Sequence, residues 1–245
     1  MRLSSFQFTG AGGRSCNEDA CAIRPLDGGG LFVVADGLGG TVHGEQAAAC
    51  VIECMTQAPL SAEDDAIEWL RAQFDCAQEK IVDLQQQTHA NMKSTAVALL
   101  LRGKKAAWAH VGDSRLYCFH DGALVSVTED HSVAFKKYKA GEITRAQIPT
   151  DEDQSALLRA LGNPDRHWPD CTPRAPITAG DAFLLCSDGV WEYLHDGEIL
   201  VDLLKSETAE DWGRLLLLRV LDRVGTDNDN LSLITVMVEE GSDTP

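Results

Sequence analysis

Apolar and polar positions along the chain follow two rhythms, one of strands and one of helices. Runs rich in β-branched and apolar residues, closed by turn residues, predict strands at 31–36 (LFVVAD), 94–101 (STAVALLL), 105–113 (KAAWAHVGD), 115–122 (RLYCFHDG), 181–188 (DAFLLCSD) and 230–238 (NLSLITVMV). LSSFQFTG and ACAIRPL near the N-terminus read as two more, and the HDG at 120–122 reads as a hairpin turn between Tyr117 and Val125. Spacings of three and four predict helices over 44–57 and 63–87, the second carried by Ile67, Leu70, Phe74, Ala77, Ile81 and Leu84. A third helix fits 208–224, with Thr208 as its N-cap.

Strands, two long helices, strands again, then helices and a final strand do not make the regular alternation of a doubly wound parallel sheet. The order suits an α+β sandwich of largely antiparallel sheets covered by helices. The segment 132–180 is poorer in strand signal and richer in charge and proline, as a surface excursion bordering an active site would be. No repeat or linker interrupts the chain, so one domain over 1–245 is expected, ending in a frayed GSDTP tail.

Composition narrows the function. An apolar fraction of 44% and a charged fraction of 24% over 245 residues are ordinary for a globular protein with a sizeable core. A formal net charge of -17 argues against a nucleic-acid partner, because phosphate backbones need clustered Lys and Arg. The eight cysteines show no C-x-x-C pair, so reduced thiols in a cytosol are expected rather than zinc or disulfides. No signal-peptide core or membrane-length apolar run is visible, which predicts a cytoplasmic protein without membrane contact.

Four acids break the strand pattern in the same way. VVADG (33–37), LLCSDG (184–189), GTDNDNLSL (225–233) and AHVGDSR (109–115) each place an aspartate at the edge of an apolar run. A single Asp-Gly is most simply a turn. Four acids so placed point to carboxylates converging at one rim of a sheet, since a strand holds its end residue rigidly. Converged carboxylates repel and lose solvation, and a divalent cation neutralises them. Oxygen donors without His or Cys favour Mg²⁺ or Mn²⁺ over zinc. Gly37 and Gly189 leave room for a metal and for a bare carbonyl to reach it. In RSCNEDA, a strand would put Arg14, Cys16 and Glu18 on one face, where arginine can clamp phosphate while Glu18 joins the metals. A surface Arg–Glu ion pair is the plainer alternative for that stretch.

In order, R-x-x-N-E-D, VVADGLGG, GEQAA, STAVALL, VGDSR, TEDHS, LLRALG, LLCSDGVWE and TDNDNLSLI resemble the motif series of the metal-dependent protein phosphatases. These form the PPM or type 2C family, here in its short bacterial form, and the likeness runs from about Gly12 to Val238. The resemblance implies an α-β-β-α sandwich, two antiparallel sheets flanked by helices, with a binuclear Mn²⁺ or Mg²⁺ site in a cleft at one end. It implies hydrolysis of phosphoserine and phosphothreonine in proteins by a water or hydroxide bridging the two metals, without a phosphoenzyme. A cognate Ser/Thr kinase and a monomeric state are expected with it.

Carried over by motif, Asp36 bridges the metals, Asp188 and Asp229 hold the first, and Glu18 with the Gly37 carbonyl completes the second. Asp113 corresponds to a ligand of a third, weaker metal shared with Asp188, and Arg14 to the phosphate-binding arginine. Asp19 is implied to orient metal-bound water, and Asn230 to fix Asp229. Glu192 falls where the family often has an acid near the third metal, and a mobile flap influencing substrate choice is expected over about 133–155. The chain departs from some members at Leu38, where they carry a histidine proposed as general acid for the leaving alkoxide. His43 and His131 are the candidate substitutes, although a helix-start and a loop histidine are ordinarily structural. Two other readings stay open: a non-catalytic phosphoprotein-binding regulator, and a partner-switching phosphatase acting on an anti-anti-sigma-type protein.

Overall fold

The structure, a computed structural model, describes residues 2–39, 43–61, 63–174 and 176–240; the GSDTP tail lies outside them. Among the described residues, one sheet is built from β1 (Arg2–Gly10), β7 (Arg115–His120), β8 (Ala123–Val127), β10 (Asp181–Cys186) and β11 (Leu231–Glu239), in the order β1-β11-β10-β7-β8. The other holds β2 (Asp19–Leu26), β3 (Gly29–Leu38), β5 (Ala96–Arg102), β6 (Lys105–Val111) and β9 (Asp170–Arg174), in the order β2-β3-β5-β6-β9. The short β4 (Lys93–Ser94) pairs with the end of β3. Both sheets are antiparallel throughout; β1 runs against β11 from Arg2 opposite Glu239 to Gly10 opposite Leu231.

Alternation along the strands divides the core into three apolar layers. Phe32, Val34, Val97, Leu99 and Trp108 from one sheet meet Leu116, Phe183, Leu185, Ile234 and Val236 from the other. The opposite face of the first group's sheet turns Leu31, Val33, Ala98 and Ala109 toward α1 (Gly44–Gln57) and α2 (Ala66–Thr88). The other sheet turns Tyr117, Phe119, Leu184 and Leu233 toward α5 (Asp196–Lys205) and α6 (Ala209–Arg223). This is the α-β-β-α sandwich that the resemblance implies.

Local chemistry sets the element ends. Asp65 accepts the Ile67 and Glu68 amides at 2.9 and 3.0 Å, so α2 starts at Ala66, later than the expected 63. Thr208 caps α6 as expected, accepting the Asp211 amide at 3.1 Å. The HDG turn closes the β7–β8 hairpin. β6 and β10 stop at Val111 and Cys186, so Asp113 and Asp188 stand just beyond their strands, Asp188 as the first residue of the short α4 (Asp188–Trp191).

One expectation fails. Residues 11–18 form a loop, not a strand, and β2 begins only at Asp19. Gly12 lies in the left-handed region (φ 58°) with its Cα against the Asp229 carbonyl, which turns the chain before Arg14 and removes the shared strand face of Arg14, Cys16 and Glu18. The 132–180 excursion carries α3 (Val133–Lys139), a 3₁₀ turn over Arg145–Thr150 and β9. Lys137 ties α3 to the end of that 3₁₀ turn through Asp151 and Asp153, both at 2.8 Å.

Phe183 is fully buried in the layer between the sheets. Phe183→Ala should lower unfolding free energy by about 3–5 kcal/mol, read from the urea midpoint; a loss below about 1 kcal/mol would contradict this packing.

Candidate active site

A cleft of about 1010 Å³ opens at the end of the sandwich where β3 and β10 stop, and where the loops before β2 and β11 meet. Glu18, Asp36, Asp188 and Asp229 line it together with Arg14 and the Gly37 backbone. The expected acids therefore come together across both sheets.

Asp36 ends the apolar run of β3, opposite Asp19 on β2. Its carbonyl accepts the Thr95 amide at 2.8 Å and the Ser94 hydroxyl at 3.0 Å, so the backbone beneath the carboxylate cannot swing. Burial, then the charges of Asp188, Asp19, Asp113 and Asp229, pushes its carboxyl well above the aspartate range. Asp188 rises to about 6, first through burial and then through Asp229, although its Oδ1 accepts the Gly189 amide at 2.7 Å. Asp19 rises to about 7 through burial; Ser187 Oγ donates to it at 2.8 Å and partly offsets the shift.

The loop that escaped the strand pattern is fixed by Asn230. Its Nδ2 donates to the carbonyls of Ala11 and Cys16, both at 2.9 Å, and its Oδ1 accepts the Glu18 amide at 2.8 Å. Asp229 accepts the Asn230 amide at 2.8 Å and the Arg14 guanidinium at 2.8 Å. Asn230 thus holds Arg14, Glu18 and Asp229 in one unit, a wider role than fixing Asp229 alone.

Glu18 and Gly37 meet at the bare backbone of Gly44. A Cβ there would lie 2.8 Å from the Gly37 carbonyl oxygen and 2.9 Å from Glu18 Oε1. Two oxygens of the kind a hard cation takes therefore face one small hollow. Asp113 is buried behind Asp188, its carboxyl raised well above the ordinary value by burial and by that neighbour. Glu192 is pushed up to about 8 by burial, Asp188 and Asp229, and its buried Oε1 has no hydrogen-bond partner among the described residues. Among the described residues no three acids, cysteines or histidines already close around one centre. The donor set still fits Mn²⁺ or Mg²⁺: only oxygens, several forced toward protonation, with one orphaned carboxylate oxygen beside them.

The two candidate histidines separate. His43 lines the cleft beside Leu38, with its ring nitrogen 3.0 Å from Gln46 Nε2 and its backbone at φ 113°. His131 faces away. Its Nδ1 accepts the Gly112 amide at 3.1 Å while its own amide donates to the Gly112 carbonyl at 2.9 Å. Burial and its stacked neighbour His110, 4.7 Å away, hold His131 down to about 4, so the ring stays neutral. His131 thereby pins Gly112, at φ 95° with Thr95 against its Cα, and fixes the turn that carries Asp113.

Lys93 and Arg159 also line the cleft; Arg159 belongs to the LLRALG motif but has no role assigned to it there, and no sequence pattern points to Lys93. Lys93 sits on the two-residue β4 and Arg159 inside the 132–180 excursion, so neither lies on a long strand or helix whose periodicity would single it out.

Comparison with known proteins identifies the family. A family model described as Protein phosphatase 2C matches residues 11–221. The serine/threonine protein phosphatase PstP of Mycobacterium tuberculosis is 32% identical over 235 residues, covering 93% of this chain but 42% of that protein. The chain therefore spans less than half of that relative's length. The serine/threonine phosphatase stp of Listeria welshimeri is 30% identical over 243 residues, covering 94% of both chains. The crystal structure of the PstP catalytic domain in complex with two manganese ions superposes with a TM-score of 0.82 at 28% identity, covering 97% of this chain and 99% of that one. With its sandwich, its rim of acids and a family match over most of its length, the chain belongs to the protein phosphatase 2C family.

Proposed function

We propose that the chain is a Mn²⁺- or Mg²⁺-dependent protein serine/threonine phosphatase that reverses a cytoplasmic Ser/Thr kinase. The observation that carries this reading is the convergence of Glu18, Asp36, Asp188 and Asp229 with Arg14 in one open cleft. In this reading one domain acts as a monomer, and 133–155 is its flap.

Asp36, Asp188 and Asp229 would hold one metal ion, Asp36 with Glu18 and the Gly37 carbonyl a second, and Asp113 with Asp188 a third. Bound there, the ions supply Lewis acidity toward the phosphoryl oxygens and the attacking water. The chain's own groups do the rest. Arg14 leaves Asp229 to clamp the phosphate oxygens, since a dianion competes well for a guanidinium that is more than half exposed. Asp19, anchored by the Ser187 hydroxyl, stands ready to orient and take a proton from water. Leu38 brings no proton donor to the leaving oxygen, and His43 is the histidine within the cleft.

Three outcomes are expected. Asp36→Asn should cut Mn²⁺-dependent hydrolysis of p-nitrophenyl phosphate and of a phosphothreonine peptide by at least about a hundredfold; undiminished turnover would sink the reading. Arg14→Ala should raise KM for both substrates by roughly tenfold, with kcat changed less; an unaltered KM would remove Arg14 from phosphate binding. The third concerns stability. Asp188 and Asp19 are raised from 3.8 to about 6 and about 7, so the folded chain binds more protons than the unfolded one in that window, and stability falls as pH rises through it. In chelator the Tm should therefore drop from about pH 5 to about pH 8, and saturating Mn²⁺ should restore it at the upper end. A Tm that ignores Mn²⁺ would count against a metal at these acids.

A further inference from the structure

Beside the cleft a second hollow, of about 370 Å³, lies between α3 and residues 158–170. Lys136 and Lys139 of α3 form one wall with Phe135, and Arg159, Arg166 and Trp168 form the other. Arg159 lines both hollows, so a chain seated in the cleft can continue into the second across that one side chain.

Charge distinguishes this hollow from the rest of the molecule. Its acids are already matched: Glu129 meets Lys139 at 2.7 Å, Asp170 meets Arg159 at 2.7 Å, and Asp130 is taken by the buried Arg115 at 2.6 Å. Lys136 and Arg166 are left over, both exposed and neither in an ion pair among the described residues. A protein with 38 acidic and 21 basic residues thus presents unmatched positive charge at the exit of its cleft. Trp168 is 50% exposed there, and the Arg159 guanidinium lies 5.4 Å from its ring centre, which braces the ring as an open apolar face.

We propose that this hollow receives the acidic stretch of a protein substrate next to its phosphorylated residue. Lys136 and Arg166 meet the carboxylates, and Trp168 packs on their aliphatic stems. The proposal rests on the phosphatase reading of the cleft. The net charge of -17 repels such a stretch at long range, but salt screens that field over about 8–10 Å, so the two local cations decide. Because Lys136 belongs to α3, substrate choice on this account sits where the flap joins the sandwich.

The test uses the Mn²⁺-loaded full chain with p-nitrophenyl phosphate and three phosphothreonine peptides whose flanks are glutamate, alanine or lysine. Wild type should favour the glutamate peptide over the alanine peptide by about tenfold in kcat/KM, mainly through KM, as two partly exposed ion pairs allow. Lys136→Glu/Arg166→Glu should abolish or invert that order while leaving p-nitrophenyl phosphate turnover unchanged, and Lys136→Ala/Arg166→Ala should flatten it. Equal kcat/KM for the three peptides with wild type, or an order that survives the charge reversal, overturns the proposal. Wild type without turnover of p-nitrophenyl phosphate overturns the phosphatase reading itself, so the two failures can be told apart.

Discussion

Mutual repulsion among buried carboxylates is the interaction around which this molecule is organised. Asp19, Asp36 and Asp113 are buried and Asp188 is half-buried; Asp188 raises the proton affinity of the other three, and Asp229 raises that of Asp188. Taking such charges out of water costs several kcal/mol apiece unless they are paired. The one cation that touches the cluster among the described residues is Arg14, at its exposed edge. The acids would relax apart on a soft support. They stay together because each is fastened by backbone: Asp36 through Thr95 and Ser94, Asp229 through Asn230, Asp188 through the start of α4. The apolar layer between the sheets supplies the stiffness, and the acids supply the stored tension that a divalent cation can release.

A second framework stands behind the cluster. Arg115 donates to both oxygens of Asp130 and to the Tyr117 hydroxyl, and its guanidinium carbon lies 3.5 Å from the centre of the Trp191 ring. Trp191 in turn donates its indole N–H to the Asp113 carbonyl at 2.9 Å. A buried ion pair is weak evidence of stability by itself. Here it reads better as a positioning device, linking α4, β7 and the Asp113 turn into one body while His131 clamps the other side of that turn.

Much of this was legible in the sequence, and for a physical reason. Alternation exposes strands, period-3.6 spacing exposed α1, α2 and α6, and an acid closing an apolar run is conspicuous because a core excludes it. The motif resemblance then supplied roles that spacing alone left open. What escaped depends on partners far apart in the chain or on single backbone angles. The loop 11–18 looked extended, although the paired Gly12 and Gly13 before Arg14 were a visible sign of a turn. His131 reads as a loop histidine until its contact with Gly112 is seen, and Arg159 gains meaning only when residues 131, 168 and 170 are gathered around it.

The pairing of β1 with β11 also decides where the chain can be extended. Arg2 stands opposite Glu239 while Gly10 stands opposite Leu231, two residues from Asp229. Both ends of the described sandwich therefore emerge side by side, separated from the acids by the length of β1, about 30 Å of extended chain. Polypeptide joined at either end, or at both, would leave from the pole opposite the cleft. The architecture is that of a plug-in module: it can be carried by a longer protein, as the PstP relative's greater length illustrates, without the added chain having to pass the site.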